Sequence, residues 1–233
     1  MNITDFRDTQ SGPVALLGNG PTLGTWVESL KSKLAPTVLE RVEIGPPRLG
    51  VNVDGKFAVS VVLTGFTKQL PLIGINRSWK LIETPWRCYV DEAHHDDIRL
   101  GRAPAPEMAF SVRDPNRLEV PCPSVVVPWT PVTQETPKQR FCGAELDVGS
   151  FGPFAGYFAL ELARWMGFNP IYLFGYDGDG GHFDELDFER PELETRTWNG
   201  LFREARECLD RDGVRVINCS PASAIDAFER LES

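Results

Sequence analysis

The chain has 233 residues, of which 42% are hydrophobic and 24% charged, and its formal net charge is −9. This composition indicates one globular domain, and the negative charge argues against a general binder of duplex nucleic acid or anionic membranes, which need clustered Lys and Arg. No apolar run is long enough to cross a bilayer and the first residues do not resemble a signal peptide, so we expect no membrane span and a cytoplasmic location. The five scattered cysteines form no Cys-x-x-Cys pair and are expected to be reduced.

The first predicted element is a strand that runs directly into a glycine-containing loop. Residues 14–17 are apolar and of strand length, and a helical pattern follows at 25–34. In an open α/β sheet such a strand–loop–helix unit binds phosphates and nucleotides, although an ordinary β–α turn explains the same residues equally well. The loop residues that we take as candidates for nucleotide binding are Gly18, Asn19, Gly20, Pro21 and Thr22.

The middle of the chain, about residues 38–143, is predicted to be a β-rich and irregular insertion. It contains strand patterns at 57–63, 72–76 and 87–91, and a proline-rich part at 99–138 with one strand candidate, 124–127. Asp91 opens a cluster of acids and histidines that we expect to form an exposed face, with Asp91 alone reaching the site.

The last third alternates clearly between helices and strands. Helices are predicted at 154–166, 192–212 and 223–231, and apolar strands at 171–175 and 214–218. This alternation predicts an α/β fold with a mostly parallel, Rossmann-like open sheet flanked by helices. We expect a single nucleotide-binding domain over residues 1–233.

Polar residues follow three of the predicted strands. They are Asn19 in the first loop, Asn76 and Arg77 after the strand at 72–76, and Asp177 after the strand at 171–175. Because the carboxyl ends of parallel strands meet at one edge of a sheet, these side chains are expected to share a cleft. Asn side chains can bond phosphate and ribose, and Arg77 is a candidate cation for phosphate.

The loop at 175–184 combines acids, glycines and a histidine. Asp177 and Asp179 are candidate Mg²⁺ ligands and catalytic acids, together with the more distant Asp91 as a metal ligand. His182 is a candidate general base or stabiliser of a leaving phosphate. The alternative is a glycine-rich surface turn whose acids are only solvated.

The order of these motifs resembles one superfamily. The motifs are Leu16-Leu17-Gly18-Asn19-Gly20-Pro21-Thr22, Ile75-Asn76-Arg77, Ala155-Gly156-Tyr157, Ile171-Tyr172-Leu173-Phe174-Gly175-Tyr176-Asp177 and Val216-Ile217-Asn218-Cys219-Ser220-Pro221. The superfamily joins the bacterial sialyltransferases of glycosyltransferase family 42 with the domain-of-unknown-function-115 proteins. The latter are similar to the archaeal 6-hydroxymethylpterin diphosphokinase and include bacterial and phage members. The resemblance covers the first strand and loop and most of residues 149–230.

The resemblance implies roles for individual residues. Asn19 and Gly20 would contact the nucleotide phosphate, and Asn76 the ribose or phosphate. The helix N-terminus at Ala155 and Gly156 would also contact the nucleotide, although Ala155 stands where the sialyltransferases have Ser. Asp177 would lie in the site, whereas the tyrosines that steady the leaving phosphate have no match and His182 is at best an analogue of the catalytic histidine.

Three functions are therefore expected, in order of preference. The first is a nucleotide-dependent transferase, most readily a sialyltransferase-like glycosyltransferase that uses a nucleotide-sugar. The second is a Mg²⁺-dependent diphosphokinase that uses ATP and a small hydroxymethyl-type acceptor. The third is a non-catalytic nucleotide-binding protein. All three imply a small-molecule nucleotide as the partner.

Overall fold

The computed structural model describes residues 1–25, 48–51, 57–63, 66–112, 120–128, 141, 146, 154–178, 192–221 and 223–230. The strands, in chain order, are β1 (Val14–Leu17), β2 (Arg48–Val51), β3 (Phe57–Leu63), β4 (Phe66–Gln69), β5 (Leu72–Ile75), β6 (Trp86–Tyr89), β7 (Met108–Val112), β8 (Ser124–Val127), β9 (Ile171–Phe174), β10 (Val216–Asn218) and β11 (Glu229–Arg230). The helices are α1 (described over residues 21–25), α2 (Glu92–Arg99), α3 (Ala155–Trp165) and α4 (Glu192–Arg211), with 3-10 helices at Ile3–Phe6 and Ser78–Lys80.

An eight-stranded sheet organises the molecule, with the strand order β11-β10-β9-β1-β5-β6-β7-β8. Every pair of neighbours is parallel, and Ala15 in β1 lies between Leu72 of β5 and Tyr172 of β9. The predicted α/β fold with an open parallel sheet is confirmed. After β1, the chain adds β5 to β8 on one side of β1 and then β9 to β11 on the other side. The strand order therefore reverses at β1, and open α/β sheets bind their ligands at such a reversal.

Each face of this sheet packs into its own cluster of apolar side chains. Leu16 and Leu173 belong to the large apolar cluster that includes α3, whereas Leu17 and Phe174 belong to a second cluster on the other face. This alternation follows from the period of two in a strand, and burial on both faces explains why β1 is wholly apolar. Helix α3 packs against β1, β5 and β6. Its N-terminus therefore lies near the middle of the sheet.

The segment 38–143 contributes to two sheets. Strands β2, β3 and β4 form a separate three-stranded antiparallel sheet, in which Leu49 pairs with Val59 and Val62 with Thr67. Strands β5 to β8 lie in the same segment but belong to the main sheet. Strand β7 was not expected in the proline-rich part. It forms there because β6 and β8 pair with its two edges.

One local prediction holds only in part and another was wrong. The acidic and histidine cluster forms helix α2, at whose start Asp91 and Glu92 are exposed as expected, but His95 is buried, with its Nδ1 3.2 Å from the hydroxyl of Tyr89. The last segment is not a helix but an extended connection that ends in β11. There the Ser223 hydroxyl donates to the backbone oxygen of Tyr176 and accepts from the N–H of Ile225, which holds the chain away from helical geometry.

The expectation of reduced cysteines holds only in part. Cys88, Cys122 and Cys219 are free thiols, whereas Cys208 is disulfide-bonded. In the described part of the chain, no helix combines the length and the apolar composition that a membrane span requires.

Candidate functional site

An open cleft lies at the carboxyl edge of the central strands. Its polar side is formed by the ends of three strands and by the start of α3. The residues there are Gly18, Asn19, Gly20, Ile75, Asn76, Gly175, Tyr176, Asp177, Gly178, Ala155 and Gly156. Its apolar side is formed by Phe154, Trp198, Phe202 and Ile225. The cleft thus lies beside β1, at the reversal of strand order.

Most of the candidate residues from the sequence analysis line this one cleft. They come from the ends of three strands and from the start of one helix. Pro21 and Thr22 stand beside the cleft as the first residues of α1 and do not line it. Arg77 follows Asn76 but does not line the cleft either, and Asp91 is exposed at the start of α2. Asp179 and His182 lie outside the described residues.

The β1 loop packs directly on the loop after β9. The N–H of Gly20 donates to the backbone oxygen of Gly175 at 2.9 Å, and the N–H of Thr22 donates to Oδ2 of Asp177 at 2.7 Å. A Cβ atom at Gly18 would lie 2.5 Å from the oxygen of Gly175, and one at Gly20 would lie 2.3 Å from Oδ2 of Asp177. The two glycines are therefore required by the contact between the loops.

Three buried side-chain oxygens at the cleft have no hydrogen-bond partner in the described part of the chain. They are Oδ1 of Asn19, of Asn76 and of Asp177. Asn19 is 8% exposed and Asp177 4% exposed. A buried acceptor without a partner is unfavourable by about 1–3 kcal/mol, and such groups in native proteins call for an explanation. All three belong to residues that line the cleft, which makes the cleft the candidate binding site.

Asn76 adopts a backbone conformation that few side chains tolerate. Its φ is +50°, and its N–H donates to the backbone oxygen of Cys88 at 3.0 Å. Asn is among the few non-glycine residues that visit this left-handed region. The turn places Asn76 at the carboxyl end of β5, in the lining of the cleft.

Helix α3 begins at the cleft without a side-chain cap. Phe154 occupies the capping position with φ −148° and ψ 158°, it makes no side-chain capping bond, and the first turn holds no acidic residue. The hydroxyl of Tyr176 donates to the backbone oxygen of Gly156 at 3.0 Å. The pKa of Tyr176 is raised well above its ordinary value, mainly by burial and to a smaller extent by the nearby thiol of Cys88. Its hydroxyl therefore stays protonated and acts as a donor.

The aromatic side of the cleft was missed by sequence reasoning. Phe154 and Trp198 stack with ring centroids 4.4 Å apart and an angle of 23° between their planes, and Phe202 meets Phe154 edge to face. Trp198 and Phe202 come from α4, whose amphipathic pattern gives no sign of a ligand. Helix α4 is fixed to the last segment by a bond of 2.8 Å from Nδ2 of Asn199 to the oxygen of Ala224. That segment supplies Ile225 to the cleft.

The described residues hold no group of three or more His, Cys, Asp or Glu side chains that could bind a metal ion. Asp177, the acidic side chain in the described lining, already uses one oxygen to cap α1. A Mg²⁺ site that includes Asp179 thus stays a prediction from the sequence.

Comparison with known proteins gives a structural neighbour. No protein-family model matches the chain, and no curated protein matches it. The MAf glycosyltransferase from Magnetospirillum magneticum AMB-1 has a similar structure, with a TM-score of 0.54 and 14% sequence identity. The likeness covers 97% of this chain and 35% of the glycosyltransferase chain, so the chain spans about a third of that protein. At this identity the comparison concerns the fold, which this chain shares with part of a glycosyltransferase.

Proposed function

We propose that this protein is a nucleotide-dependent transferase that moves a glycosyl group from a nucleotide-sugar to an acceptor hydroxyl. The observation that carries the proposal is the meeting of Asn19, Asn76 and Asp177, each with a buried unpartnered oxygen, at the uncapped N-terminus of α3. The similar fold of a glycosyltransferase supports the same class of reaction.

The lining of the cleft supports a nucleotide as the ligand. The stacked pair Phe154 and Trp198 offers an aromatic surface for a flat base, and other lining residues offer polar groups for ribose and phosphate. A nucleotide has the same division between a flat apolar part and a polar part.

In the proposed reaction the acceptor hydroxyl attacks the anomeric carbon of the donor sugar. The new carbon–oxygen bond forms while the bond from that carbon to the phosphate oxygen breaks. The nucleotide leaves with the bonding electron pair, and the hydroxyl proton passes to a general base. We propose His182 as this base, since it follows closely on Gly178, which lines the cleft.

A second candidate is diphosphoryl transfer from ATP with Mg²⁺. It is favoured by the unpartnered oxygen of Asp177 in the cleft and by Asp179 close behind it in the sequence. In this reaction the acceptor hydroxyl would attack the β-phosphorus of ATP, the α–β phosphoanhydride bond would break, and AMP would leave. The hydroxyl proton would again pass to a base.

Thermal unfolding with a panel of nucleotides separates the candidates. The panel contains CMP, CMP- and UDP-sugars, GTP and ATP, each with and without Mg²⁺. A ligand present at about 100 times its Kd is expected to raise the melting temperature by about 5 °C or more. Stabilisation by a nucleotide-sugar, with slow release of free sugar detected by NMR, supports glycosyl transfer. Stabilisation by ATP only with Mg²⁺ supports the second candidate.

The His182→Ala variant tests whether the chain is an enzyme. We expect it to bind the donor as the wild type does and to lose sugar release. Binding of a donor without any turnover in the wild type would instead indicate a non-catalytic nucleotide-binding protein. If no nucleotide stabilises the wild type, the proposed function is wrong.

A further inference from the structure

The N-terminus of α1, a common place for a phosphate after a first strand, is largely in use inside the protein. Pro21 has no N–H. The backbone N–H groups of Gly18, Gly20, Thr22 and Leu23 are each bonded within the protein, which leaves only the N–H of Asn19 without an acceptor among the described residues of this loop and first turn. The acceptor for Thr22 is the carboxylate of Asp177, at 2.7 Å. Asp177 thus occupies the position at the helix that a phosphate would take.

The N-terminus of α3, unlike that of α1, has no side-chain cap and no carboxylate bound to its first turn among the described residues. Its capping residue Phe154 makes no side-chain bond, its first turn has no acidic residue, and Ala155 and Gly156 line the cleft. The N–H groups of a first turn have no partner within their own helix, and the helix dipole favours an anion there. None of the described residues in the lining carries a positive charge. This helix start is therefore the strongest attraction for phosphate in the described lining.

The unpartnered Oδ1 atoms of Asp177 and Asn19 suit hydroxyl groups of the ligand rather than its phosphate. Oδ1 of Asp177 belongs to a carboxylate, which repels phosphate and accepts hydrogen bonds from hydroxyl groups. Oδ1 of Asn19 is a second buried acceptor in the same lining. Vicinal hydroxyls of a ribose would supply donors to both.

We infer that a bound ribonucleotide places its phosphate on the backbone N–H groups of Ala155 and Gly156 and its ribose hydroxyls at Asp177 and Asn19. This inference rests on the proposed nucleotide ligand. It departs from what the family resemblance implies for Asn19 and Gly20, which would contact the phosphate. Asp177 then has two roles: one carboxylate oxygen positions the β1 loop, and the other binds the ribose hydroxyls.

The Ala155→Pro variant tests the phosphate position. Proline is well accepted as the first residue of a helix, and the extended backbone of Phe154 suits a residue before proline, so the backbone tolerates a change that removes one N–H. Because Ala155 is buried, circular dichroism first checks that the variant folds. We expect the affinity for the best-bound ribonucleoside monophosphate to fall about tenfold or more, as for a lost hydrogen bond to a charged group. Glu92→Pro, at the first position of α2 outside the cleft, is the matched control and should bind normally.

A measurement on the wild type makes the test independent of that variant's folding. In ¹⁵N-labelled protein, the amide resonances of Ala155 and Gly156 should shift when inorganic pyrophosphate or the nucleotide is added. If the amides of Gly18 and Gly20 shift instead, or if Ala155→Pro folds and binds the nucleotide as tightly as the wild type, the inference is wrong while the proposed function stands.

The Asp177→Asn variant tests the ribose position. Asparagine keeps an oxygen for the N–H of Thr22 but replaces the second acceptor by a donor. The wild type should prefer the ribonucleotide over its 2′,3′-dideoxy analogue, and Asp177→Asn should lose that preference. Asp226→Asn, which changes an exposed carboxylate paired with Arg203 outside the lining, should keep it. An unchanged preference in Asp177→Asn would contradict the inference.

The same measurements distinguish failure of the proposed nucleotide function from failure of the inferred phosphate position. If pyrophosphate shifts the amides of Ala155 and Gly156 but no nucleotide binds, the phosphate position is supported and the nucleotide function is wrong. If neither probe binds the wild type, both are wrong.

Discussion

The carboxylate of Asp177 accepts a hydrogen bond of 2.7 Å from the backbone N–H of Thr22, a residue 155 positions earlier in the chain. The bond connects the loop after β9 to the first turn of α1. A negative charge at a helix N-terminus is favourable because it meets the positive end of the helix dipole. Asp177 therefore holds two walls of the cleft together, whatever else it does for a ligand.

Gly20→Ala should destabilise the protein by about 1–3 kcal/mol, as for other overpacked sites. The new Cβ would lie 2.3 Å from Oδ2 of Asp177 and 2.6 Å from the backbone oxygen of Gly175, so the two loops would have to separate. Urea denaturation followed by circular dichroism measures the change. Gly200→Ala is the control, because its Cβ would meet nothing within 4 Å in the exposed face of α4. It should stabilise the protein by about 0.5–1 kcal/mol. Equal stabilities of the two variants would contradict the close packing of the loops.

Asn76→Gly and Asn76→Ala should separate the roles of backbone and side chain. Because φ is +50° at this position, alanine should destabilise the fold by about 1–2 kcal/mol, whereas glycine adopts this conformation readily. Both variants lack the amide and should bind the nucleotide about tenfold more weakly, which calorimetry can measure. A glycine variant with wild-type affinity would show that the Asn76 side chain does not contact the ligand.

Trp198→Ala should weaken nucleotide binding by about 1–3 kcal/mol, the usual effect of removing an aromatic ring from a base. Trp198→Phe should retain most of the affinity, because a ring remains to stack on Phe154. Binding should also quench tryptophan fluorescence in the wild type and much less in Trp198→Phe. Trp79→Phe, which changes a ring near Arg87 outside the lining, should preserve the quenching. If Trp198→Phe also preserves it, the base does not stack on Trp198.

The stability of the protein should fall as the pH rises above about 9. Burial raises the pKa of the Cys219 thiol from 9.0 to about 12, so the folded state keeps a proton that the unfolded state loses. This thiol's contribution is complete below pH 9 and is lost as the pH rises through about 12. The slope is at most about 1.4 kcal/mol per pH unit for one such group.

Cys219→Ala should make this dependence shallower in urea denaturations between pH 8 and pH 11 in degassed buffer. Cys122→Ala is the comparison: burial also raises the pKa of this half-buried thiol but the charge of Arg87 lowers it, so we expect a smaller change in slope than in Cys219→Ala. An unchanged slope in Cys219→Ala would mean that the thiol is accessible to solvent in the folded state.

The sheet could be predicted because its strands are buried on both faces. The apolar runs predict strands at 14–17, 72–76 and 171–175, and the structure has strands at Val14–Leu17, Leu72–Ile75 and Ile171–Phe174. The last two end one residue before the prediction, where Asn76 and Gly175 take positive φ angles. The segment from 223 to 230 could not be predicted in the same way. Its apolar residues are spaced as in a helix, but the hydrogen bonds of the Ser223 hydroxyl to the backbone oxygen of Tyr176, 47 positions earlier, and to the side chain of Asn218 overrule that pattern.

The polar side of the cleft could be predicted because each of its residues directly follows a strand, and parallel strands bring their ends to one edge. Asn19, Asn76 and Asp177 lie in one lining for this reason. The aromatic side comes from the side of α4 and from the last segment, whose positions depend on tertiary packing. No short sequence pattern indicates that Trp198 and Ile225 line the same cleft as Asn19.

The central position of β1 also has a consequence for synthesis of the chain. Its two neighbours are β5 and β9, so one edge of β1 can pair early while the other must wait until residues 171–174 have been made. Until then the backbone groups along that edge are open to wrong partners, and the first turn of α1 lacks the carboxylate of Asp177. The cleft is thus completed late on the ribosome, and truncated chains that end before β9 should lack the complete cleft and be prone to aggregate.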